Sequence, residues 1–302
     1  MSSRRIDRRR FVAGSLLGSL ASVAAASSLN QPLLIDSHVH VWKRDPRFPF
    51  AAGAKVPDGD FSAEQLLELM AANGVSRTVL IQVIHYKWDN SYVADVLKRY
   101  PGKFQAVCRV NPESPTAPDD LSRLTDQGFR GVRLSPATGP EGDWIRGPLM
   151  EPLWSRCEAL KLPMTILAPV TRMLDLVPLI EHHPDLTVVI DHMADSPLDQ
   201  PEKLEMLLSL ARFPRVFVKI SHAWSLSKMP YPYPDSMAQI KRLRDAFSAE
   251  RLMWGTDWPV SLKELTYAKA VELYRDHLEW MTARERESVL SRTVRKVWPF
   301  RL

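Results

Sequence analysis

Residues 33–42 read LLIDSHVHVW, an apolar run that leads into an aspartate and two histidines. Leu33, Leu34 and Ile35 indicate a buried strand. His38 and His40 lie two positions apart, and side chains with that spacing project from the same face of a strand. The stretch predicts two neighbouring imidazoles at the carboxyl end of a first strand, where they could bind a metal ion or exchange protons. A pair this short gains meaning only from the residues that the rest of the chain places beside it.

The pattern that this strand begins recurs eight times. Strand-like apolar runs at 33–38, 78–85, 104–110, 130–135, 163–168, 186–192, 215–221 and 251–257 alternate with helical periodicities near 62–73, 89–100, 117–128, 148–160, 173–183, 201–213, 234–248 and 264–296. Eight such units over about 270 residues predict an α/β protein with one domain, a (β/α)8 or TIM barrel. The alternative, a doubly wound open sheet, usually has a glycine-rich phosphate turn after its first strand, where this chain has HVHVW.

The first 26 residues differ from the rest of the chain. Arg8, Arg9 and Arg10 followed by Phe11 resemble the twin-arginine export signal, and an apolar stretch with small residues continues to Ala26. We expect a Tat signal peptide at 1–26, a mature domain at 27–302, transient contact with the Tat translocon and a periplasmic location. The apolar stretch is short for a bilayer span, so an uncleaved anchor is the less favoured alternative and no stable membrane insertion is expected after cleavage.

Charge and cysteine content exclude two classes of function. The net charge of the whole chain is +5, but residues 1–26 hold five arginines and one aspartate, which leaves about +1 for the mature domain. No basic run with interleaved aromatic residues remains there, so a nucleic-acid partner is not expected. Cys108 and Cys157 lack metal-ligand spacing and are expected to be buried free thiols, with a disulfide as the alternative in an oxidising compartment.

Enzymes with this barrel build their sites at the carboxyl ends of the strands, which meet at one mouth. Asp257, in WGTDWP, ends the eighth strand, and a carboxylate opposite His38 and His40 is well placed to act as a general base toward water. His192, in VVIDHMAD, ends the sixth strand and is a further catalytic candidate. Asp191 precedes it and, by strand alternation, is expected to face the other way.

Four further residues are candidates for binding the substrate. Arg133 lies on the fourth strand, and its forked guanidinium suits a substrate carboxylate or an oxyanion. His85 and Trp88 follow the second strand, and His222 follows the seventh. Each of these three could instead pack or hydrogen-bond a loop against the barrel.

The segments IDSHVHVW, GFRGVRL, VVIDHMA, VFVKIS and WGTDWP, in this order and spacing, resemble the amidohydrolase-related family. The similarity is to its branch of TIM-barrel hydrolases that includes sugar-lactone and dicarboxylate-lactone hydrolases, and it extends from about Leu33 to Leu302. The resemblance implies a small-molecule substrate, most simply a lactone. It also implies that the reacting centre is surrounded by His38, His40, His192 and Asp257, as catalytic residues or as ligands of a metal ion.

Two positions depart from the family pattern. The fifth strand reads LPMTILAP, with Leu167 and Ala168 where broader amidohydrolases carry a histidine or a modified lysine, and His222 stands where a glycine is common. The resemblance therefore leaves the cofactor open between none and one divalent cation, zinc if one is present. A metal-dependent decarboxylase of the same superfamily and a non-catalytic periplasmic binding barrel stay open as alternatives. Neither the particular lactone nor the oligomeric state follows from the sequence.

Overall fold

The strands of the protein form one closed parallel sheet in the computed structural model, which describes residues 33–135 and 144–300. The strands are β1 Leu34–Val39, β2 Val75–Ile81, β3 Phe104–Val107, β4 Val132–Leu134, β5 Met164–Ile166, β6 Val188–Ile190, β7 Val216–Lys219 and β8 Leu252–Met253. They pair in sequence order as β1–β3 and β4–β8. Parallel bridges from Cys108 to Val132 and from Val39 to Trp258 join the two sets. The predicted (β/α)8 barrel is confirmed.

Helices follow the strands as the periodicity predicted, with some changes of bounds. They are α1 Ala63–Ala72, α2 Ser91–Arg99, α3 Ala117–Asp126, α4 Met150–Ala159, α5 Val177–His182, α6 Pro201–Leu208, α7 Ala223–Leu226, α8 Pro234–Phe247, α9 Tyr267–Asp276, α10 Ala283–Glu287 and α11 Thr293–Val297. The single helix expected at 264–296 is interrupted between α9 and α10, because Thr282 caps a new helix and exchanges hydrogen bonds with Glu285. A wide turn at Ser288–Arg292 connects α10 to α11.

The amino-terminal part of the barrel interior is apolar. Inward-facing side chains of six strands pack there against the last helix: Ile35, Val79, Ile81, Val107, Val189, Phe217 and Met253, with Val294, Val297 and Trp298. The polar side chains of the interior therefore lie toward the carboxyl ends of the strands, where the mouth of a barrel of this kind opens.

The junction between β8 and β1 places the end of β8 close to the histidine pair. Gly255 has no side chain where a Cβ atom would come 2.8 Å from His38 Cβ, so no larger residue fits without a shift. Asp36 accepts hydrogen bonds from Thr256 Oγ1 at 2.6 Å and from Thr256 N at 3.1 Å. Burial raises the pKa of Asp36 to about 7, although these hydrogen bonds oppose the rise. These two hydrogen bonds fix Thr256, the residue that precedes Asp257.

Several sequence expectations concern features outside the site. The expected signal peptide at 1–26 lies outside the described residues. Within 33–135 and 144–300, no helix carries an apolar stretch long enough to span a bilayer. Cys108 and Cys157 are both buried and both free, which confirms the expectation of free thiols.

Candidate active site

The two histidines of the first strand face each other at the mouth of the barrel. His38 Nε2 lies 3.3 Å from His40 Nε2, and both side chains are buried. His40 donates from Nδ1 to the carbonyl oxygen of Ile81 at 2.8 Å. In its neutral form His40 therefore presents a bare Nε2 lone pair to the centre of the site.

Asp257 closes the other side of this pair. Its Oδ1 atom lies 3.3 Å from His40 Nε2 and 3.5 Å from His38 Nε2, while Oδ2 accepts a 2.6 Å hydrogen bond from His222 Nε2. Burial would raise the pKa of Asp257, but the hydrogen bond from His222 and the nearby imidazoles outweigh it and hold this pKa well below its usual range. The side chain is an ionised carboxylate with one oxygen directed at the histidine pair.

The turn after β6 has an uncommon backbone. His192, Met193 and Ala194 have φ angles of 52°, 54° and 55°, and Asp195 follows at 45°. Four successive residues other than glycine in the left-handed region are strained, and such strain is typical of functional sites. The turn breaks the alternation of the strand, so Asp191 and His192 both face His38. The expectation that Asp191 points to the opposite face is wrong.

A buried charge cluster surrounds Asp191. Its Oδ2 accepts from Arg133 Nε at 2.9 Å, and its Oδ1 lies 3.1 Å from Lys219 Nζ and 3.3 Å from His38 Nδ1. Burial opposes ionisation of Asp191, but Lys219 and the other cations hold its pKa well below the usual range. Burial and Lys219 lower the pKa of His38 to about 3, so that imidazole is neutral. Arg133, a predicted substrate contact, points into the site, but its Nε atom already binds a carboxylate of the protein.

Lys219 was not among the sequence candidates. It ends β7 inside VFVKIS, and its side chain is completely buried, 3.1 Å from His38 Nδ1. The signal was present, because a lysine in an otherwise apolar buried strand is rarely tolerated unless it is paired.

Two imidazoles stack beside Asp257. The rings of His192 and His222 are 3.7 Å apart between centroids and nearly parallel, at 11°. His192 Nδ1 and Ser221 Oγ are hydrogen-bonded at 2.8 Å, while His222 Nδ1 donates to Asp195 Oδ1 at 3.2 Å. Burial, followed by the charge of His222, lowers the pKa of His192 well below its usual range. His192 is therefore neutral.

The remaining predicted substrate contacts lie farther out on the loops. His85 Nδ1 donates to the carbonyl oxygen of Lys55 at 2.9 Å, and its ring packs 5.2 Å from Trp42, so it fastens the long loop after β1. Trp88 covers the buried guanidinium of Arg109 at 5.2 Å. Both side chains therefore fasten or pack loops, the alternative that the sequence left open. Arg109, which sequence reasoning did not single out, donates to Ser135 Oγ.

The donor set at the centre fits a divalent cation. His38, His40 and Asp257 can each offer one ligand atom to a common point, and the atoms are separated by 3.3–3.5 Å. Tetrahedral ligands about 2.0–2.2 Å from zinc lie roughly 3.3–3.6 Å from one another. Asp257 Oδ1 is also buried without a hydrogen-bond donor among the described residues. His192 belongs to other possible groups, with His38 and Asp191 or with His222 and Asp257.

Comparison with known proteins gives consistent results. A family model described as amidohydrolase matches residues 35–300. The L-fucono-1,5-lactonase of Burkholderia ambifaria is 33% identical over 237 residues, which cover 75% of this chain and 80% of that enzyme. The 4-sulfomuconolactone hydrolase of Hydrogenophaga intermedia is 29% identical over 75% of this chain and 74% of its own. A solved structure from Pseudomonas putida, named as a candidate 2-pyrone-4,6-dicarboxylic acid hydrolase, is 27% identical with a TM-score of 0.78 and covers 90% of this chain and 99% of its own.

Proposed function

The chain belongs to the amidohydrolase family, and from that premise we propose that it is a hydrolase that opens a lactone with Asp257 as the base toward water. The observation that carries the proposal is the state of Asp257. It is buried and ionised, with Oδ2 bound by His222 and Oδ1 free beside two imidazoles. A buried, ionised carboxylate of this kind can accept a proton or bind a cation at Oδ1. A bound water supplies the proton as it reacts.

The names of the related proteins support the choice of reaction. They describe hydrolases of a sugar lactone, of a sulfonated muconolactone and of a pyrone dicarboxylate, all of them cyclic esters. We propose the same bond type for this chain and, more finely, a sugar-acid or dicarboxylate lactone as its substrate. Arg133, in the buried wall of the site, suits the free carboxylate of a dicarboxylate lactone, whereas the carboxyl group of a sugar-acid lactone is the ring ester itself.

The reaction follows from the placement of the side chains. Water adds to the lactone carbonyl carbon while Asp257 Oδ1 accepts its proton, and the carbonyl oxygen becomes an oxyanion. The tetrahedral intermediate then expels the ring oxygen, which takes the proton back from Asp257 as the ring opens to a hydroxy acid. Asp257 ends as it began, and the carboxylic acid released at neutral pH gives one proton to solvent.

His192 is the best placed neutral donor for the oxyanion. If Ser221 donates its hydroxyl proton to Nδ1, neutral His192 carries its own proton on Nε2, which is then free to donate. His40 is unsuited to this role, since its Nδ1 proton is used by Ile81 and its Nε2 is bare. Preorganised donors of this kind typically contribute about 10²–10³-fold to the rate.

We also propose that the site can take one divalent cation, most simply zinc, on His38, His40 and Asp257. Such an ion would polarise a bound water or the substrate carbonyl. The buried Asp191 that faces His38 Nδ1 would orient that ring and make it a better ligand. The end of β5 offers this ion no further ligand. Leu167 and Ala168 follow the strand, at the place where broader amidohydrolases carry a histidine or a modified lysine.

Export is a separate proposal that rests on residues 1–26. The run of Arg8, Arg9 and Arg10 before Phe11, followed by an apolar stretch, supports Tat-dependent transport to the periplasm. Replacement of Arg8 and Arg9 together by lysine is expected to leave the full-length precursor inside the cell. Secretion of the double variant at the normal level would rule out this route.

The test of the function is proton release by the purified protein against a panel of lactones, with and without a chelator. The panel holds L-fucono-1,5-lactone, other sugar-acid lactones, 4-sulfomuconolactone and 2-pyrone-4,6-dicarboxylate. We expect turnover of at least one, and a fall in kcat/KM of about 10²–10⁴-fold in Asp257→Asn. Loss of activity with the chelator and its return with zinc would assign the cation. Full activity of Asp257→Asn, or silence across the panel with a folded protein, would overturn the proposal.

A further inference from the structure

His222 has a conformation and a set of partners that its neighbours in the chain do not explain. It follows Ser221 directly after β7 with a φ of 67°, where glycine would be free of strain. Its side chain is only 17% exposed and is enclosed by the stacked ring of His192 and the edge of Trp224. A strained and largely enclosed imidazole at the mouth requires interactions that compensate for its cost.

Those interactions are with two carboxylates. Nε2 lies 2.6 Å from Asp257 Oδ2, and Nδ1 lies 3.2 Å from Asp195 Oδ1. An ionised carboxylate only accepts hydrogen bonds, so both ring nitrogens of His222 must donate. The ring therefore donates two hydrogen bonds, one to the left-handed turn after β6 and one to the end of β8.

The hydrogen bond from His222 determines the last side-chain torsion of Asp257. The last torsion of an aspartate side chain is broad and nearly twofold, so packing alone holds it weakly. With Oδ2 bound to His222, the other oxygen is left 3.3 Å from His40 Nε2 and 3.5 Å from His38 Nε2. We infer that His222, held in turn by Asp195, is a positioning residue that fixes the rotation of Asp257 and so presents Oδ1 to the reacting water.

The expected change in kcat rests on the proposed function, whereas the expected rotation of the Asp257 carboxylate does not. His222→Gly suits the backbone at this position and leaves a hole the size of an imidazole, so the variant is expected to fold. Asp195→Ala removes the outer support without touching Asp257. Asp199→Asn is the matched control, because Asp199 also follows β6 and also binds a residue after β7, Lys228, but in an exposed pair.

For His222→Gly we expect kcat to fall about 10–100-fold, as for other supporting side chains of a reactive centre, with KM within about twofold. Added imidazole is expected to restore part of kcat in this variant and to do nothing for the wild type. Asp195→Ala is expected to lower kcat about tenfold, with partial recovery in Asp195→Asn, whose amide oxygen still accepts from Nδ1. Asp199→Asn is expected to match the wild type. A purely structural role would instead change stability without rescue by imidazole.

Crystal structures of the wild type and of His222→Gly supply a readout that needs no turnover. We expect the Asp257 carboxylate to rotate in the variant, so that Oδ1 leaves its place beside His40 Nε2. An unchanged carboxylate, together with an unchanged kcat, would overturn the inference while leaving Asp257 as the base. If the wild type hydrolyses no lactone, the proposed function fails, and the position of the carboxylate still decides the role of His222.

Discussion

Asp191 and Asp257 contact opposite ring nitrogens of His38, yet the protein surrounds them in different ways. Asp191 is bound by the guanidinium of Arg133 and the ammonium of Lys219, two cations that belong to the barrel wall. Asp257 instead accepts from His222 at Oδ2 and faces the histidine pair at Oδ1. The Oδ1 atoms of both carboxylates lack a hydrogen bond within the described residues, but that of Asp191 lies 3.1 Å from the ammonium of Lys219. Each oxygen of the first carboxylate therefore lies beside a lysine or arginine cation, whereas both oxygens of the second face histidines.

The difference predicts that Asp191 contributes mainly to the stability of this region and Asp257 mainly to its reactivity. A buried carboxylate that is paired with cations on two sides resists protonation and holds the strands that carry those cations. A buried carboxylate with a free oxygen is instead available to a proton or a metal ion. Asp191 and its cations therefore support the ring of His38, and the proposed chemistry falls to Asp257.

The strongest test of this division is Asp191→Asn. The substitution leaves Lys219 and Arg133 buried without a full counter-charge, so the free energy of unfolding should fall by about 3–5 kcal/mol. Urea denaturation monitored by tryptophan fluorescence measures it. Asp257→Asn is the comparison, with an expected change below about 1 kcal/mol beside its large loss of activity. Equal losses of stability in the two variants would remove the distinction.

Lys219→Met tests the same buried ion pair by removing its ammonium group. Asp191 would keep Arg133, so a smaller loss of about 2–3 kcal/mol is expected in the free energy of unfolding. The double variant with Asp191→Asn should lose about 1–3 kcal/mol less than the sum of the single losses, since neither charge is then left alone. Additive losses would mean that the 3.1 Å contact between Nζ and Oδ1 contributes nothing.

The sequence predicted the barrel and the central residues because both depend on local patterns. Eight apolar runs alternating with helices need no knowledge of tertiary contacts, and parallel strands bring their carboxyl ends together in any barrel. His38, His40, His192 and Asp257 were therefore placed in one cluster, as the structure has them. Their catalytic roles stay predictions until the variants are measured.

The missed features depend on backbone conformation and on partners far away in the chain. Strand alternation was extended one residue too far at Asp191, because a left-handed turn of residues other than glycine leaves no mark in the sequence. His85 lies within a turn at Ile84–Tyr86, beyond the end of β2 at Ile81, so it meets the loop instead of the centre. The hydrogen bond from His222 to Asp257 spans 35 residues and joins two residues in the left-handed region, with φ angles of 67° and 55°.

The pH dependence of stability should distinguish the imidazole-bound carboxylate from the cation-bound one. Burial alone would lower the pKa of His222, but the hydrogen bonds to Asp195 and Asp257 raise it to about 9. Because the folded value lies above the ordinary 6.5, the stabilisation is complete below pH 6.5 and is lost as the pH rises through 9. We expect unfolding measured from pH 6.5 to 9.5 to lose about 1–2 kcal/mol, and His222→Gly to lose less over the same range. The same slope in both proteins would place its origin elsewhere.

The smallest effect is expected on the outer surface, where a carboxylate has two side-chain partners, as Asp191 has two cations, but is open to water. Glu64 on α1 accepts from Arg99 and from Tyr100, and its side chain is 44% exposed. Burial opposes its ionisation, but Arg99 and Tyr100 together outweigh burial and lower its pKa to about 2, so its stabilisation is present above pH 4.5 and is lost as the pH falls through 2. Solvent screens such a pair, and Glu64→Gln should therefore lower the free energy of unfolding by less than about 1 kcal/mol at pH 7. Urea denaturation beside Asp191→Asn measures the contrast, and a loss above about 2 kcal/mol would show that the number of partners, rather than burial, sets the importance of a carboxylate in this protein.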